Sequence, residues 1–148
     1  MEKNCVFCKI IAGEIPSAKV YEDSKVLAFL DIAPFNFGHT LVIPKAHYHC
    51  FTEIPAEDLT AMMTVAQKLA VALMRATGAP AYNLLMNNGQ VAGQEVPHAH
   101  LHIIPRHVDD TVAFSAPQKH YEGDALLELA AKIREKLAKQ TENQLNTP

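Results

Sequence analysis

The sequence predicts an α+β fold, in which an antiparallel sheet is combined with one long helix and a C-terminal helix. Short runs of β-branched and apolar residues alternate with turn signals, which is typical of strands. Two longer segments repeat apolar residues at three- and four-residue steps, which is typical of helices. Strands joined by turns and interrupted by one long helix favour an antiparallel sheet over an alternating βαβ order.

Five segments are strand candidates. The polar turn Glu22-Asp23-Ser24-Lys25 joins the first two, and Pro44 ends the third. A glycine-bearing loop over 87–94 separates the last two, and a second loop over 34–38 leads into the third. The candidate strands are 18–21, 26–32, 40–43, 82–86 and 99–104.

Three segments have helical features. Residues 5–13 resemble a short knuckle or a helical turn closed by a glycine. A long amphipathic helix lies between Pro55 and Gly78, and its apolar stripe is interpreted as core. That stripe consists of Leu59, Met62, Met63, Ala66, Leu69, Ala70 and Leu73, and the C-terminal helix is marked by Leu126, Ala130, Ile133 and Leu137.

Composition limits the classes of protein to consider. The 148 residues are 49% hydrophobic, which suits one domain over 1–140 followed by a flexible tail over 141–148. A net charge of −3 without basic clusters indicates neither a nucleic-acid groove nor a membrane patch. With neither a secretory signal nor a bilayer-spanning run, we expect a cytoplasmic protein.

The three cysteines include one close pair, Cys5-x-x-Cys8. A reducing compartment disfavours a structural disulfide but permits metal binding, a redox pair or two unliganded thiols. Cys50 is interpreted as a buried core thiol.

Histidine is the compositional anomaly, with eight in the chain. His98, His100 and His102 alternate with Ala99, Leu101 and Ile103 in a candidate strand. Because strand side chains point alternately to opposite faces, the three imidazoles share one face and the apolar residues enter the core.

Neighbouring imidazoles disfavour each other's charge, so at least one should be neutral near pH 7. A neutral imidazole can ligate a metal or act as a nucleophile, and the spacing alone leaves both chemistries open. The loop before the strand, with Asn87, Gly89, Gly93 and Gln94, offers backbone N–H groups that can cradle a phosphate. This loop favours covalent catalysis on a phosphoryl group.

The run from Gly93 to Arg106 resembles the signature of the histidine triad family, in which three histidines alternate with apolar residues. The segments 7–16, 28–32 and 38–45 resemble the same family in the same order, so the resemblance covers roughly residues 5–107. It is most similar to the Hint branch. That branch implies nucleoside phosphoramidate hydrolases that are homodimers with a five-stranded antiparallel sheet.

The resemblance implies a role for each matching residue. His100 would attack the α-phosphorus of a purine nucleotide without a catalytic metal, and His102 and His39 would orient it or contact the phosphate. Asp31 would bind the ribose hydroxyls. The base pocket would be walled by Phe7, Ile10, Phe29 and Ile32, and the phosphate would contact Asn87, Gln94 and the backbone at Val96.

A Cys-x-x-Cys near the N-terminus resembles members of the family that carry a structural zinc ion. Cys5, Cys8, His47 and His98 match the ligand positions, and two thiolates with two imidazoles make a closed tetrahedral set. His49 competes with His47 as the fourth ligand.

Glu95 stands where the Hint branch usually has a small hydroxyl residue. A carboxylate beside a phosphate is repulsive unless it points away or pairs with a cation. Glu95 keeps two other readings open, and the spacing of the histidines keeps a third. They are a dinucleoside polyphosphate hydrolase of the same family, a nucleotide-binding regulator with little turnover, and a metalloenzyme with catalytic zinc on His98, His100 and His102.

Overall fold

The computed structural model describes residues 2–114 and 116–145. The chain divides into two compact units, 1–112 and 113–148. The first contains the sheet and two helices, α1 (Val6–Ile11) and α2 (Ala56–Thr77), and the second contains α3 (Ala125–Leu145). Helix α3 extends past the boundary predicted at 140, and residues 146–148 of the predicted tail lie outside the described residues.

Five strands form one antiparallel sheet, which confirms the predicted fold class. They pair in the spatial order β1-β2-β3-β5-β4, so the last strand in the chain lies between β3 and β4. The connection from β3 to β4 runs through α2. The strands are β1 (Lys19–Glu22), β2 (Val26–Leu30), β3 (Thr40–Pro44), β4 (Ala81–Leu85) and β5 (Leu101–Arg106).

Most predicted strand ends differ from the structure by one or two residues, and two of these differences lie beside candidate site residues. Strand β2 stops at Leu30 because the Asp31 carboxylate accepts the N–H of Ala33 at 2.9 Å, which turns the chain. Strand β5 begins at Leu101 rather than at 99. The backbone before it bonds elsewhere, since the N–H of Ala99 donates to the carbonyl of Tyr48 at 2.7 Å.

The sheet is covered on both faces, as its alternating side chains require. Val26 and Ala28 of β2 pack in the same cluster as α2, and Leu27 and Phe29 pack with α1. The predicted alternation around the histidines is confirmed. Their apolar neighbours Ala99, Leu101 and Ile103 belong to the α2 cluster.

Helix α2 ends at Gly78, whose φ of +71° is the left-handed conformation that commonly closes helices. Most of its apolar stripe packs on the sheet, with Met62, Ala66, Ala70 and Leu73 buried. No helix in the described part of the chain is both long enough and apolar enough to cross a membrane.

Two residues predicted to be buried are not. Met63 is 43% exposed because it follows Met62 by one residue and so points about 100° away from the buried direction. Cys50 is partly exposed in a turn, where its thiol donates to the Glu53 carboxylate at 3.7 Å.

Met62→Ala should lower the free energy of unfolding by about 2–5 kcal/mol, because it removes a fully buried side chain between α2 and the sheet. Urea unfolding measures the loss. The control is Val71→Ala on the same helix, where the side chain is exposed and a change within about 0.5 kcal/mol is expected. Equal losses for the two variants would contradict the described packing of α2.

Candidate active site and metal-binding cluster

A cavity of about 540 Å³ opens on the α1 side of the sheet. It is formed by α1, the ends of β2 and β3, the loop before β3 and the connection between β4 and β5. Almost all of the residues predicted for the active site line it. They are Phe7, Ile10, Phe29, Asp31, Ile32, His39, Asn87, Val96, His100 and His102.

His100 lies in the wall of this cavity rather than in the apolar core. Its Nδ1 lies 2.6 Å from the carbonyl oxygen of His98, and a carbonyl can only accept, so Nδ1 carries the proton. In the neutral ring the lone pair is therefore on Nε2. The ring of Phe7 packs edge-on against His100 with centroids 5.2 Å apart and holds the ring in this orientation.

His39 and His102 form a relay beside the nucleophile candidate. The N–H of Phe35 donates to Nδ1 of His39 at 3.3 Å, so a neutral His39 carries its proton on Nε2. That atom lies 2.9 Å from Nδ1 of His102, which leaves a proton on Nε2 of His102. This last atom is buried and, among the described residues, has no hydrogen-bond partner. It is a donor ready for an anionic ligand.

Burial keeps the histidines of this site neutral. It lowers the pKa of His102 to about 4, and His100 and His39 add further repulsion. Burial also lowers the pKa of His100, although the carboxylates of Asp31 and Glu95 partly oppose the shift. The pKa of His39 is lowered for the same reason. Neutral imidazoles are the form that a nucleophile and a hydrogen-bond relay need.

The glycine-bearing loop that is expected to cradle a phosphate uses several of its own backbone N–H groups internally. The N–H groups of Gly89, Ala92, Gly93 and Gln94 all donate to acceptors within the loop. The N–H of Val96 has no such partner in the described part of the chain. Of the residues expected to contact a phosphate, Asn87 and Val96 line the cavity, and the amide nitrogen of Asn87 also donates to the carbonyl of Gly93 at 3.2 Å.

The structure places Gln94 outside the cavity lining. Its amide nitrogen donates to the carbonyls of His49 at 2.6 Å and Val96 at 3.1 Å, and its oxygen accepts the N–H of Gly89 at 2.7 Å. Gln94 thus fixes the shape of the loop. Its sequence neighbour Glu95 does line the cavity.

Asp31 stands at the end of β2 with one oxygen available to a ligand. One carboxylate oxygen accepts from Ala33, and the other lies 3.6 Å from Nδ1 of His39. Beside it, Phe7 and Phe29 pack edge-to-face with centroids 5.6 Å apart. The lining of the cavity therefore contains an apolar wall at Phe7 and Phe29, the carboxylate of Asp31 and the neutral imidazole of His100.

Phe35 and Ser17 are among the cavity residues that the sequence reading missed. Phe35 stacks on His39 with centroids 5.4 Å apart, and its loop position gave only a turn signal. Ser17 lines the cavity, and its hydroxyl oxygen is buried without a hydrogen-bond partner in the described residues. Its place before the first strand candidate carried no functional signal.

A hydrogen-bond network that the sequence did not reveal holds the loop bearing His39. We call this network, formed by Asn36, Arg106 and Asp110, the polar clasp. The amide of Asn36 donates to the carbonyl of Pro105 at 2.8 Å and to the Asp110 carboxylate at 2.9 Å. Arg106 donates to both oxygens of Asp110, each at 2.8 Å, and holds the pKa of that carboxyl far below its usual range. The clasp ties the loop after β2 to the end of β5.

The four residues expected to hold zinc lie together, with their ligand atoms all within 4.8 Å of one another. Nδ1 of His98 lies 3.5 Å from the sulfur of Cys5 and 3.8 Å from that of Cys8, and Nδ1 of His47 lies 3.4 Å from Cys8. Tetrahedral zinc with its usual bond lengths separates sulfur and nitrogen ligands by about 3.5 Å. The spacing therefore fits the ion.

The tautomers also fit a metal site. Nε2 of His98 lies 2.9 Å from the carbonyl of Pro44 and must donate to it, so the lone pair on Nδ1 faces the two sulfurs. His49 points elsewhere, since its ring lies by the Glu53 carboxylate and is mostly exposed. His47 is thus the fourth member of the set.

The structure does not support a catalytic metal on the three alternating histidines. Among the described residues, His100 belongs to neither of the two groups whose ligand atoms lie close enough to share an ion. The second group is Asp31, His39 and His102, in which the hydrogen bond between the two rings already accounts for their approach.

Comparisons with known proteins agree with this geometry. The family model described as HIT domain matches residues 12–109. An uncharacterized HIT-like protein of Methanocaldococcus jannaschii is 55% identical over 106 residues, which are 72% of this chain and 81% of that protein. The adenosine 5'-monophosphoramidase HNT1 of Candida albicans is 40% identical over 141 residues, covering 92% of this chain and 93% of that protein.

A solved structure extends the likeness over more of the chain than the family model matches. The crystal structure of a zinc-bound histidine triad family protein from Mycobacterium smegmatis superposes with a TM-score of 0.71 at 38% identity, covering 90% of this chain and 97% of that one. With the family model, the relatives and the structure in agreement, the chain belongs to the HIT domain family.

Proposed function

We propose that this protein hydrolyses nucleoside 5'-phosphoramidates through a covalent nucleotidyl-His100 intermediate. The hydrogen bond that holds the proton on Nδ1 of His100 carries the proposal, because it presents the Nε2 lone pair to the cavity. The similarity to a relative named adenosine 5'-monophosphoramidase supports the choice of substrate.

The substrate is positioned by the two ends of the cavity. Phe7, Ile10, Phe29 and Ile32 pack on the purine, and the Asp31 carboxylate accepts hydrogen bonds from the ribose hydroxyls. The α-phosphate then lies near Asn87 and Val96. Gln94 acts indirectly in this proposal, by holding the loop that carries both contacts.

In the first step Nε2 of His100 attacks phosphorus, and the phosphorus–nitrogen bond breaks. The leaving nitrogen keeps the electron pair of that bond and takes one proton from solvent. In the second step water attacks the same phosphorus, Nε2 recovers its electron pair, and the water gives up one proton. The products are the amine and the nucleoside monophosphate, so protons balance over the two steps.

The relay stabilises the charge that develops on the phosphoryl oxygens. Nε2–H of His102 has no partner in the described residues and can donate to a phosphoryl oxygen, while His39 holds the other side of that ring. Two easier steps thus replace one difficult displacement. No metal ion takes part in this scheme.

His100→Gly should lower kcat/KM for adenosine 5'-phosphoramidate by roughly 10³-fold or more, because it removes the attacking atom. Intact-mass analysis of the wild type quenched during turnover should show one adenylyl group, and the variant should show none. His107→Gly is the control, since this exposed histidine lies just beyond β5. Nucleotide binding without any turnover by the wild type would instead identify a binding regulator.

We also propose that Cys5, Cys8, His47 and His98 hold one structural zinc ion. The ion would neutralise the buried thiolates and join α1 to the sheet. The four side chains would fill all four coordination positions of the ion and leave none for water or substrate, so the ion would stabilise the fold and take no part in catalysis. A reducing compartment such as the cytoplasm, which keeps both cysteines as thiols, suits this site.

Cys8→Ser should remove the bound zinc and lower the Tm by about 10 °C or more, because a ligand that fixes α1 is lost. Metal analysis of the purified protein and calorimetry measure the two effects. Cys50→Ser is the matched control and should change neither, since Cys50 lies outside the cluster. Zinc bound equally well by the Cys8→Ser variant would rule out the proposed site.

The edge of the sheet formed by β4 suggests how two copies associate. Strand β4 pairs with β5 alone among the described residues, and its exposed face carries Tyr82 and Leu84. Met63 of α2 lies in the same groove. Unpaired strand edges and exposed apolar groups are both typical of interfaces, so we propose a homodimer formed through this surface.

Leu84→Lys should convert the dimer to a monomer, because it places a charge in the proposed interface. Sedimentation velocity measures the change. Val20→Lys is a close control, because Val20 has nearly the same exposure on the opposite edge strand β1. Dissociation caused equally by both substitutions would contradict this interface.

A further inference from the structure

The carboxylate of Glu95 lines the proposed nucleotide cavity but takes no part in the mechanism proposed for His100. It is exposed, and in the described part of the chain it makes no hydrogen bond or ion pair. Its position is nevertheless well defined. The side chain of Gln94 on one side bonds to three backbone groups, including the carbonyl of Val96 on the other side.

The charge of the cavity is unusual for a phosphate site. Its described lining contains no lysine or arginine, although it contains the two carboxylates of Asp31 and Glu95. Asp31 has partners in Ala33 and His39. Glu95 makes no hydrogen bond or ion pair among the described residues, and the His100 ring near it is neutral, so a phosphoryl group beside it meets an uncompensated negative charge. A polyphosphate leaving group would increase this repulsion.

The geometry of displacement places the leaving group near Glu95. An in-line attack puts the leaving atom on the side of phosphorus opposite to Nε2 of His100. With the α-phosphate near Asn87 and Val96 in the proposed binding mode, the leaving group stays close to Glu95, which precedes Val96 and lines the same cavity. Glu95 is solvent-exposed, so a long leaving group beside it can extend into solvent.

We infer that Glu95 selects nucleoside phosphoramidates whose leaving amine carries a second, positively charged group, as the phosphoramidate of a diamine does. The ammonium group offsets the carboxylate, and the phosphate is then bound without net repulsion. The inference rests on the proposed function, because it assigns the leaving-group side of that same site.

Two substrates of matched length test the inference. One is the adenosine 5'-phosphoramidate of 1,5-diaminopentane, which ends in an ammonium group, and the other is that of hexylamine, which ends in a methyl group. The wild type should favour the cationic substrate in kcat/KM by about three- to tenfold at low salt, as expected for an exposed ion pair. Added salt should reduce this ratio.

The variant Glu95→Gln should reduce the ratio to about one. Glu57→Gln removes the same charge from an exposed position on α2, across the sheet from the cavity, and should keep the wild-type ratio. A wild type without preference, or a preference that survives in Glu95→Gln, would overturn the inference.

The two proposals fail in different ways. His100-dependent hydrolysis of the hexylamine compound supports the proposed function whatever the ratio of the two substrates. If neither compound is hydrolysed, the proposed function fails. In that case the Kd values of the two compounds are compared. Tighter binding of the cationic compound by the wild type, lost in Glu95→Gln, supports the role of Glu95, and any other result overturns it.

Discussion

The hydrogen bond between Nδ1 of His100 and the carbonyl of His98 is the interaction on which the site depends. A backbone carbonyl cannot donate, so it sets the tautomer of His100 without any second ionisable group. The residue that supplies this carbonyl is itself held by Pro44 and by the two cysteines. Two neighbouring histidines of the same pattern therefore have different surroundings, since His98 faces the two cysteines and His100 lines the cavity.

The parts of this structure that sequence can predict are those set by periodicity. Alternation alone places His98, His100 and His102 on one face and Ala99, Leu101 and Ile103 in the core, although the ladder of β5 begins only at Leu101. The period of α2 and its terminal glycine identify that helix in the same way. These predictions hold because a large buried area enforces them.

The details that sequence cannot predict depend on side chains that bond to distant backbone. Gln94 matches a phosphate contact by position, yet its amide is occupied by the carbonyl of His49 and by its own loop. Asn36 and Asp110 hold the loop of His39 to the end of β5 by similar bonds. Such contacts have no repeat along the chain, and only the folded arrangement reveals them.

Helix α1 belongs to two sites at once. It is too short to be stable by itself, and it owes its position to the Cys5 cap and to the packing of Phe7 and Ile10. Its cysteines face the metal cluster, and its apolar residues face the cavity. If the proposed zinc ion and the proposed nucleotide both bind, each favours the docked position of α1 that the other needs. By thermodynamic reciprocity, a cation that tightens nucleotide binding is itself bound more tightly, by the same factor, once the nucleotide is present.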